Sequence, residues 1–138
     1  MCVCVTLLDG IVYARSVFHH SVNYRCAVVH GKAVPITDDD AKLHALQVLT
    51  EHLAPGSWDH TRTPNRKELA ATAVLAIDLT EASVKIRAGG PVDEPADVTA
   101  HTGWAGVLPL RRTWDTPVPA DDLPPGIDVP THIADRGC

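Results

Sequence analysis

Apolar side chains dominate several short stretches of the chain, and their spacing predicts β-strands. Residues 2–8 and 11–18 are rich in β-branched and aliphatic residues. The dipeptide Asp9-Gly10 between them is a strong signal for a two-residue hairpin. Residues 26–36 form a third run that is apolar on both faces at first, which predicts a strand buried in a barrel or at an interface.

Further predicted strands lie in the second half of the chain. Residues 73–79 and 82–87 predict a strand pair, and a last strand is expected to reach about residue 114 from residue 103. In the segment 82–87, apolar residues alternate with polar ones that include Lys85 and Arg87. Such a polar face usually meets water, but beside a cofactor it can contact a phosphate group.

One segment has clear helical spacing. Thr37 to Asp40 resembles a capping box, and Pro55-Gly56 ends a regular series of leucines, namely Leu43, Leu46, Leu49 and Leu53. A short helix is expected at residues 66–71, and an acidic loop or short helix at residues 93–102. The pattern predicts a mainly β fold with one long helix.

Composition narrows the class of protein. A length of 138 residues fits one domain, and we expect it to cover residues 1–115, followed by a proline-rich extended tail at 116–138. No apolar run is long enough to cross a bilayer, and the net charge of -5 argues against a nucleic-acid surface. The four cysteines lack zinc-site spacing, so we expect no structural metal and interpret them as free thiols in a cytoplasmic protein.

The densest polar stretch of the chain is Phe18–Arg25. It offers donors, acceptors and a permanent cation from His19, His20, Ser21, Asn23, Tyr24 and Arg25. This set suits an anionic heteroaromatic ligand, and Trp104, which lies between glycines, is expected to be exposed enough to stack on one. The alternative is a loop whose side chains cap strand ends.

Common enzyme motifs are missing from the sequence. It contains no G-x-S-x-G, no H-E-x-x-H and no P-loop. A triad built on Ser21 and His20 is disfavoured, because adjacent residues on an extended segment point in opposite directions. A single histidine such as His19, His20 or His30 remains an alternative axial ligand for haem.

Several segments in order resemble the pyridoxamine 5'-phosphate oxidase-like, flavin-nucleotide-binding family, which is related to the nitroimidazole-resistance reductases. The segments lie between residues 2 and 126 and comprise Val3–Gly10, Arg15–Arg25, Lys67–Thr72, Glu81–Pro91 and Trp104–Leu110. The resemblance implies an FMN-binding split β-barrel that forms a homodimer, with the flavin in the groove between the subunits. It places Ser21, Asn23, Tyr24, Arg25 and Trp104 at the flavin, and it implies that His19 and His20 border the open substrate side.

The resemblance also has departures. The family's early barrel strands and the segment that grips the FMN phosphate are expected to be lacking at the N-terminus. The function expected is that of a flavin-dependent oxidoreductase acting on a small molecule, because the flavin supplies the chemistry and the protein supplies orientation. The alternatives are a flavin carrier or sensor without turnover, a haem-handling split barrel and a cofactor-free remnant.

Overall fold

The computed structural model describes residues 1–101 and 103–137. It is mainly β, with several helices accompanying an antiparallel sheet. The strands are β1 (Cys2–Tyr13), β2 (Ser21–His30), β3 (Val34–Pro35), β4 (Leu75–Ala76), β5 (Ala82–Arg87) and β6 (Gly106–Pro109). The α-helices are α1 (Asp39–Leu53), α2 (Ser57–His60), α3 (Arg66–Ala71), α4 (Pro95–Ala100) and α5 (Thr131–Ala134).

The chain divides into two compact units. Met1–Lys32 and Ile77–Arg112 form the first, which we call the sheet unit because it contains a four-stranded antiparallel sheet in the order β5-β2-β1-β6. Ala33–Ala76 and Thr113–Cys138 form the second, the helical unit, which contains α1 and the small β3–β4 sheet. The expected division at residues 115 and 116 stays a prediction, as does closure of the sheet into a barrel.

The prediction of a hairpin turn at Asp9-Gly10 is wrong. β1 runs through both residues without turning, and its register against β2 shifts between Leu8 and Gly10, so that Asp9 lies in a bulge. Gly10 allows the close approach of β6, because a Cβ atom there would lie 2.8 Å from the backbone oxygen of Leu108. The dipeptide therefore bends a long strand where the sequence suggested a turn.

The polar stretch at residues 18–25 contains the end of a turn and the beginning of a strand. Val17–His19 form a single 3-10 turn capped by the Ser16 hydroxyl, which accepts a hydrogen bond from the Phe18 N–H. β2 then begins at Ser21 and ends at His30, so the strand expected at 26–36 starts five residues early and stops before Gly31. The true hairpin thus joins β1 to β2 through residues 14–20.

The long helix predicted by the leucine spacing is present as α1. Its N-cap is Asp38 rather than Thr37, since an Asp38 carboxylate oxygen accepts a hydrogen bond from the Ala41 N–H at 2.8 Å. The short helix expected at 66–71 is confirmed as α3, and α4 lies inside the segment 93–102, of which Thr102 is outside the described residues.

The later strands pair differently from the prediction. β5 is confirmed, but its partner is β2, whereas β4 pairs with β3 in the helical unit. β6 covers only Gly106–Pro109 of the expected segment. In the tail, the structure has the short helix α5, and Arg136 stacks over the Trp114 ring at 4.5 Å within the helical unit. Cys138 lies outside the described residues.

Candidate functional site

Four strand ends meet at one edge of the sheet unit. Because the strands are antiparallel, the ends of β1 and β5 lie beside the beginnings of β2 and β6. This arrangement gathers His20, Ser21, Asn23, Tyr24, Arg87 and Trp104. We call this edge the site end of the sheet.

Three aromatic rings cluster at the β1–β6 side of the site end. The Tyr13 ring lies 5.6 Å from the His20 ring in an edge-on arrangement and 6.0 Å from the Trp104 ring. Trp104 is 70% exposed, and its indole covers Gly106, where a Cβ atom would lie 2.7 Å from the ring. Most of the indole surface is therefore open to a ligand, and Gly106 permits its position.

Asn23 organises the opposite side of the site end. Its side chain is 9% exposed and forms two hydrogen bonds with the backbone of Gly89, donating to the carbonyl at 3.0 Å and accepting from the N–H at 3.2 Å. The same amide oxygen accepts a hydrogen bond from Arg87 Nη1 at 2.6 Å. Arg87 also donates to the Gly90 carbonyl at 3.3 Å. Asn23 thus fixes both the guanidinium and the loop after β5.

Arg25 forms a bidentate ion pair. Its Nε and Nη2 donate to the Asp9 carboxylate at 3.0 and 2.8 Å, and the pKa of Asp9 is lowered, mainly by this hydrogen bonding. The bulge in β1 places Asp9 beside the arginine. The predicted role of Arg25 at the flavin stays a prediction, and in this structure two of its nitrogens bind Asp9.

The remaining predicted residues lie near this cluster with differing exposure. Ser21 and Tyr24 are half-buried on β2, where Ser21 pairs with Val12 and Tyr24 pairs with both Leu8 and Arg87. Lys85 is exposed on β5, directly opposite Cys26 and two residues from the site end. The structure therefore brings most of the predicted residues to the site end. Arg25 and Lys85 lie one and two residues farther along their strands, away from that end.

Sequence reasoning missed an ion pair next to the site, in which the carboxylate is buried and the guanidinium is partly exposed. Asp93, whose side chain is 2% exposed, accepts hydrogen bonds at 2.7 Å from the Arg15 N–H and from Arg15 Nη1. Burial acts to raise the pKa of Asp93, but the bonds from Arg15 outweigh it and the pKa is lowered. The acidic composition of the loop gave no signal for this pairing. Tyr13 was missed too, because it lies in an apolar run.

The contacts of His20 Nδ1 fit two tautomers of the imidazole ring. Its Nδ1 lies 3.2 Å from the Ser16 carbonyl and 3.3 Å from the Ala14 N–H. When Nδ1 accepts the hydrogen bond from the Ala14 N–H, Nε2 carries the proton; when Nδ1 donates to the Ser16 carbonyl instead, the Nε2 lone pair is available. His19 Nε2 instead lies 3.7 Å from Glu94, and His30 Nε2 lies 4.0 Å from Cys2 Sγ.

No group of three or more His, Cys, Asp or Glu side chains in residues 1–101 and 103–137 is placed to hold a metal ion. Among the helices of the same residues, none is long and apolar enough to cross a membrane.

Comparisons with known proteins identify relatives of the chain. A family model described as pyridoxamine 5'-phosphate oxidase matches residues 1–86. The structure of the flavocytochrome Anf3 from Azotobacter vinelandii is 37% identical, with a TM-score of 0.89 over 98% of this chain and 63% of that one. The FAD and heme binding protein from Mycobacterium smegmatis is 40% identical, with a TM-score of 0.90 over 99% of this chain and 66% of that one. No curated protein matches the chain.

Proposed function

The chain belongs to the pyridoxamine 5'-phosphate oxidase family, and from this premise we propose that it binds a flavin nucleotide at the site end of the sheet and acts as an oxidoreductase on a small molecule. FMN and FAD share the ring and the first phosphate, and the experiment below distinguishes them. The chain covers only 63% and 66% of the two similar structures. Any activity that belongs to a whole relative is therefore a proposal for this chain.

The observation that carries the proposal is the gathering of an aromatic surface and a fixed cation at one edge of one sheet. Trp104 and Tyr13 lie at the β1–β6 side, and Arg87 lies at the end of β5. The sheet order β5-β2-β1-β6 separates the outer strands by three strand spacings, about 14 Å at about 4.8 Å each. A flavin with its ribityl chain and phosphate can bridge such a span.

The side chains present fit the chemistry of a flavin. When bound, a flavin supplies electron transfer to or from a small molecule. The exposed face of Trp104 offers a stacking surface for the flavin ring. The Tyr13 ring contacts Trp104 on one side and His20 on the other. Asn23 holds Arg87 in a single orientation by its 2.6 Å hydrogen bond, so the guanidinium is positioned before a ligand arrives. Lys85, exposed on the same strand, adds a second positive charge for a phosphate.

The first test is the cofactor content of the purified chain. We expect a visible flavin spectrum, or uptake of added flavin, and acid release followed by chromatography against FMN and FAD standards identifies which nucleotide is bound. A colourless chain that takes up neither FMN nor FAD would exclude the proposal.

Trp104 provides a residue-specific test with an internal control. Trp104→Ala removes the stacking surface and is expected to raise the flavin Kd about two- to tenfold. Trp114 is similarly exposed, at 64%, but lies in the helical unit, so Trp114→Ala should leave the Kd unchanged. Equal effects of the two substitutions, measured by fluorescence titration, would place the flavin elsewhere.

Turnover distinguishes an oxidoreductase from a flavin carrier. For the flavin-loaded chain, we expect a nicotinamide nucleotide or a small-molecule donor to bleach the flavin spectrum, and oxygen to restore it. Bound flavin that no donor of either kind reduces would favour the carrier alternative. We also propose that the chain forms a homodimer, and its association is a measurement separate from turnover.

Haem binding is a second candidate, and His20 is the proposed axial ligand. The similar structures are described as a flavocytochrome and as an FAD and heme binding protein. In this chain, the tautomer in which His20 donates from Nδ1 to the Ser16 carbonyl at 3.2 Å leaves the Nε2 lone pair free for a metal, and adopting it gives up the hydrogen bond from the Ala14 N–H at 3.3 Å. Bound haem supplies one-electron transfer.

Added haemin tests this candidate. A Soret band that His20→Ala abolishes and His19→Ala preserves would support His20 as the axial ligand. The control is well matched, because His19 is its chain neighbour and lies near Glu94 instead. A band that survives both substitutions would rule His20 out.

A further inference from the structure

Two cysteine sulfur atoms face each other across neighbouring strands of the sheet unit. Cys4 on β1 and Cys26 on β2 have their Sγ atoms 3.7 Å apart, although they are 22 residues apart in sequence. The register pairs Cys26 with Thr6 and Cys4 with Val28, so the two cysteines are diagonal neighbours on one face of the sheet. They are free thiols in this structure.

The surroundings of the two thiols differ in a chemically useful way. Cys4 is exposed, whereas Cys26 is half-buried. The Thr6 hydroxyl donates a hydrogen bond to Cys26 Sγ at 3.3 Å, and Lys85 lies directly opposite Cys26 on β5. A hydroxyl donor and a cation on either side stabilise the negative charge that a sulfur atom carries during disulfide exchange.

We propose that Cys4 and Cys26 form a dithiol site that reacts with small disulfides and closes to an intramolecular disulfide. The thiol chemistry of this proposal needs neither flavin nor haem, and it is tested on the chain without either cofactor because Lys85 is also assigned to the flavin phosphate. A disulfide has a sulfur–sulfur distance of about 2.05 Å, so the atoms must approach by about 1.7 Å from their 3.7 Å separation. A third metal-binding side chain is not placed beside the pair in residues 1–101 and 103–137, which favours sulfur exchange over a metal site.

The reaction balances with a small disulfide as the oxidant. The exposed Cys4 thiolate attacks one sulfur of the small disulfide, forming a mixed disulfide and expelling one small thiolate. Cys26, as thiolate, then attacks Cys4 Sγ, forming the Cys4–Cys26 bond and expelling the second small thiolate. The two protein thiols lose two electrons and two protons, and the small disulfide gains them as it becomes two small thiols.

Oxidised glutathione is the probe for the test. The reduced, purified chain is incubated with it, alkylated and analysed by intact mass and peptide mapping. We expect two of the four cysteines to lose their reactivity with the alkylating reagent, with Cys4 and Cys26 recovered in one cross-linked peptide pair and no retained glutathione. Glutathione retained on separate cysteines, or a cross-link that involves Cys2, would overturn the proposal.

Serine variants test the order of the two steps. Cys26→Ser should stop at a mixed disulfide on Cys4 and release one glutathione per chain, whereas the wild type releases two. Cys2→Ser is the matched control, because Cys2 lies on β1 two residues before Cys4 but contacts His30 instead, and it should behave as the wild type. Release of two glutathiones by Cys26→Ser would overturn the proposal.

The charge of Lys85 is tested by the rate of the second glutathione release. Lys85→Gln is expected to slow the second release about two- to fivefold at low salt, and the difference should disappear at high salt because an exposed charge is screened. A rate that does not change at low salt would contradict the role assigned to the cation.

Discussion

At the scale of single residues, tertiary contacts and not local sequence determine the backbone conformation of Asp9-Gly10. Asp9-Gly10 has the composition of a hairpin turn, yet β1 passes straight through it. Asp9 moves into a bulge and pairs with Arg25, and Gly10 lies against the backbone of β6. Neither contact is visible in sequence, because the partners lie on other strands, β2 and β6, whose register against β1 the local sequence does not reveal.

Gly10 gives the first prediction for stability. An alanine Cβ at this position would lie 2.8 Å from the Leu108 oxygen and 3.2 Å from the Pro109 Cα, and backbone atoms cannot move aside cheaply. Gly10→Ala is therefore expected to lower the free energy of unfolding by about 1–3 kcal/mol, measured by urea denaturation. Gly90→Ala is the control, because nothing lies within 4 Å of a Cβ there. Equal stabilities for the two variants would contradict the close approach.

Asn23 gives the second prediction at this scale, because one side chain satisfies several groups. Asn23→Ala leaves the Gly89 N–H and carbonyl and the Arg87 guanidinium without this partner. We expect a loss of about 1–3 kcal/mol in unfolding free energy. Ser21→Ala, two residues earlier on β2 and half-buried, should change it little. If Asn23→Ala were as stable as Ser21→Ala, the amide would not organise the site end.

At the scale of elements, the helices were more predictable than the strand partners. The leucine spacing of α1 is a property of the segment itself, and the composition of α3 likewise indicated a helix. The N-cap was displaced by one residue because Thr37 and Asp38 both carry capping oxygen atoms. β5 was found by its alternation, but its pairing with β2 depends on closing a loop of more than 50 residues, which periodicity cannot report.

The N-terminus of α3 predicts an acid-sensitive element. Glu68 accepts hydrogen bonds from the Arg62 guanidinium and from the Asn65 N–H, which lower its pKa from 4.5 to about 2. Because the folded pKa is lowered, the stabilisation is complete above pH of about 4.5 and is lost as the pH falls through about 2. We expect Glu68→Gln to lower Tm at neutral pH and to flatten its decline in acid.

The measurement is thermal unfolding followed by circular dichroism between pH 2 and pH 7. Glu81→Gln serves as the control, because Glu81 is exposed and lies in the sheet unit, and it should keep the wild-type profile. A Glu68→Gln profile parallel to that of the wild type would show that the Arg62–Glu68–Asn65 arrangement does not contribute to acid sensitivity.

At the scale of the whole molecule, topology assembles the candidate site from residues that the sequence named separately. The polar stretch at 18–25, the cationic strand at 82–87 and the tryptophan at 104 were each noticed for their side chains. Their meeting at one edge follows from the antiparallel order β5-β2-β1-β6. The sequence did not reveal the partners of the two arginines. Asp9 neutralises Arg25, and Asn23 orients Arg87.

The exposed apolar face of the sheet unit bears on the proposed homodimer. Val5, Ala27 and Val84 pair in one row across β1, β2 and β5, and Val5 and Val84 are 56% and 68% exposed. Ile86, 65% exposed, lies on the same face of β5. Apolar side chains in such a row favour association, because burying each contributes about 1.5–3 kcal/mol.

We therefore expect concentration-dependent dimerisation of the chain through this face. In a two-fold symmetric interface each substitution acts twice, so Val84→Glu should raise the dimer Kd about a hundredfold or more, measured by sedimentation velocity. Ser83→Glu adds the same charge to the adjacent residue of β5, which points to the opposite face and is also exposed, so it should leave the Kd unchanged. A wild-type chain that stays monomeric, or a Ser83→Glu variant that dissociates as readily as Val84→Glu, would assign this face to a different role.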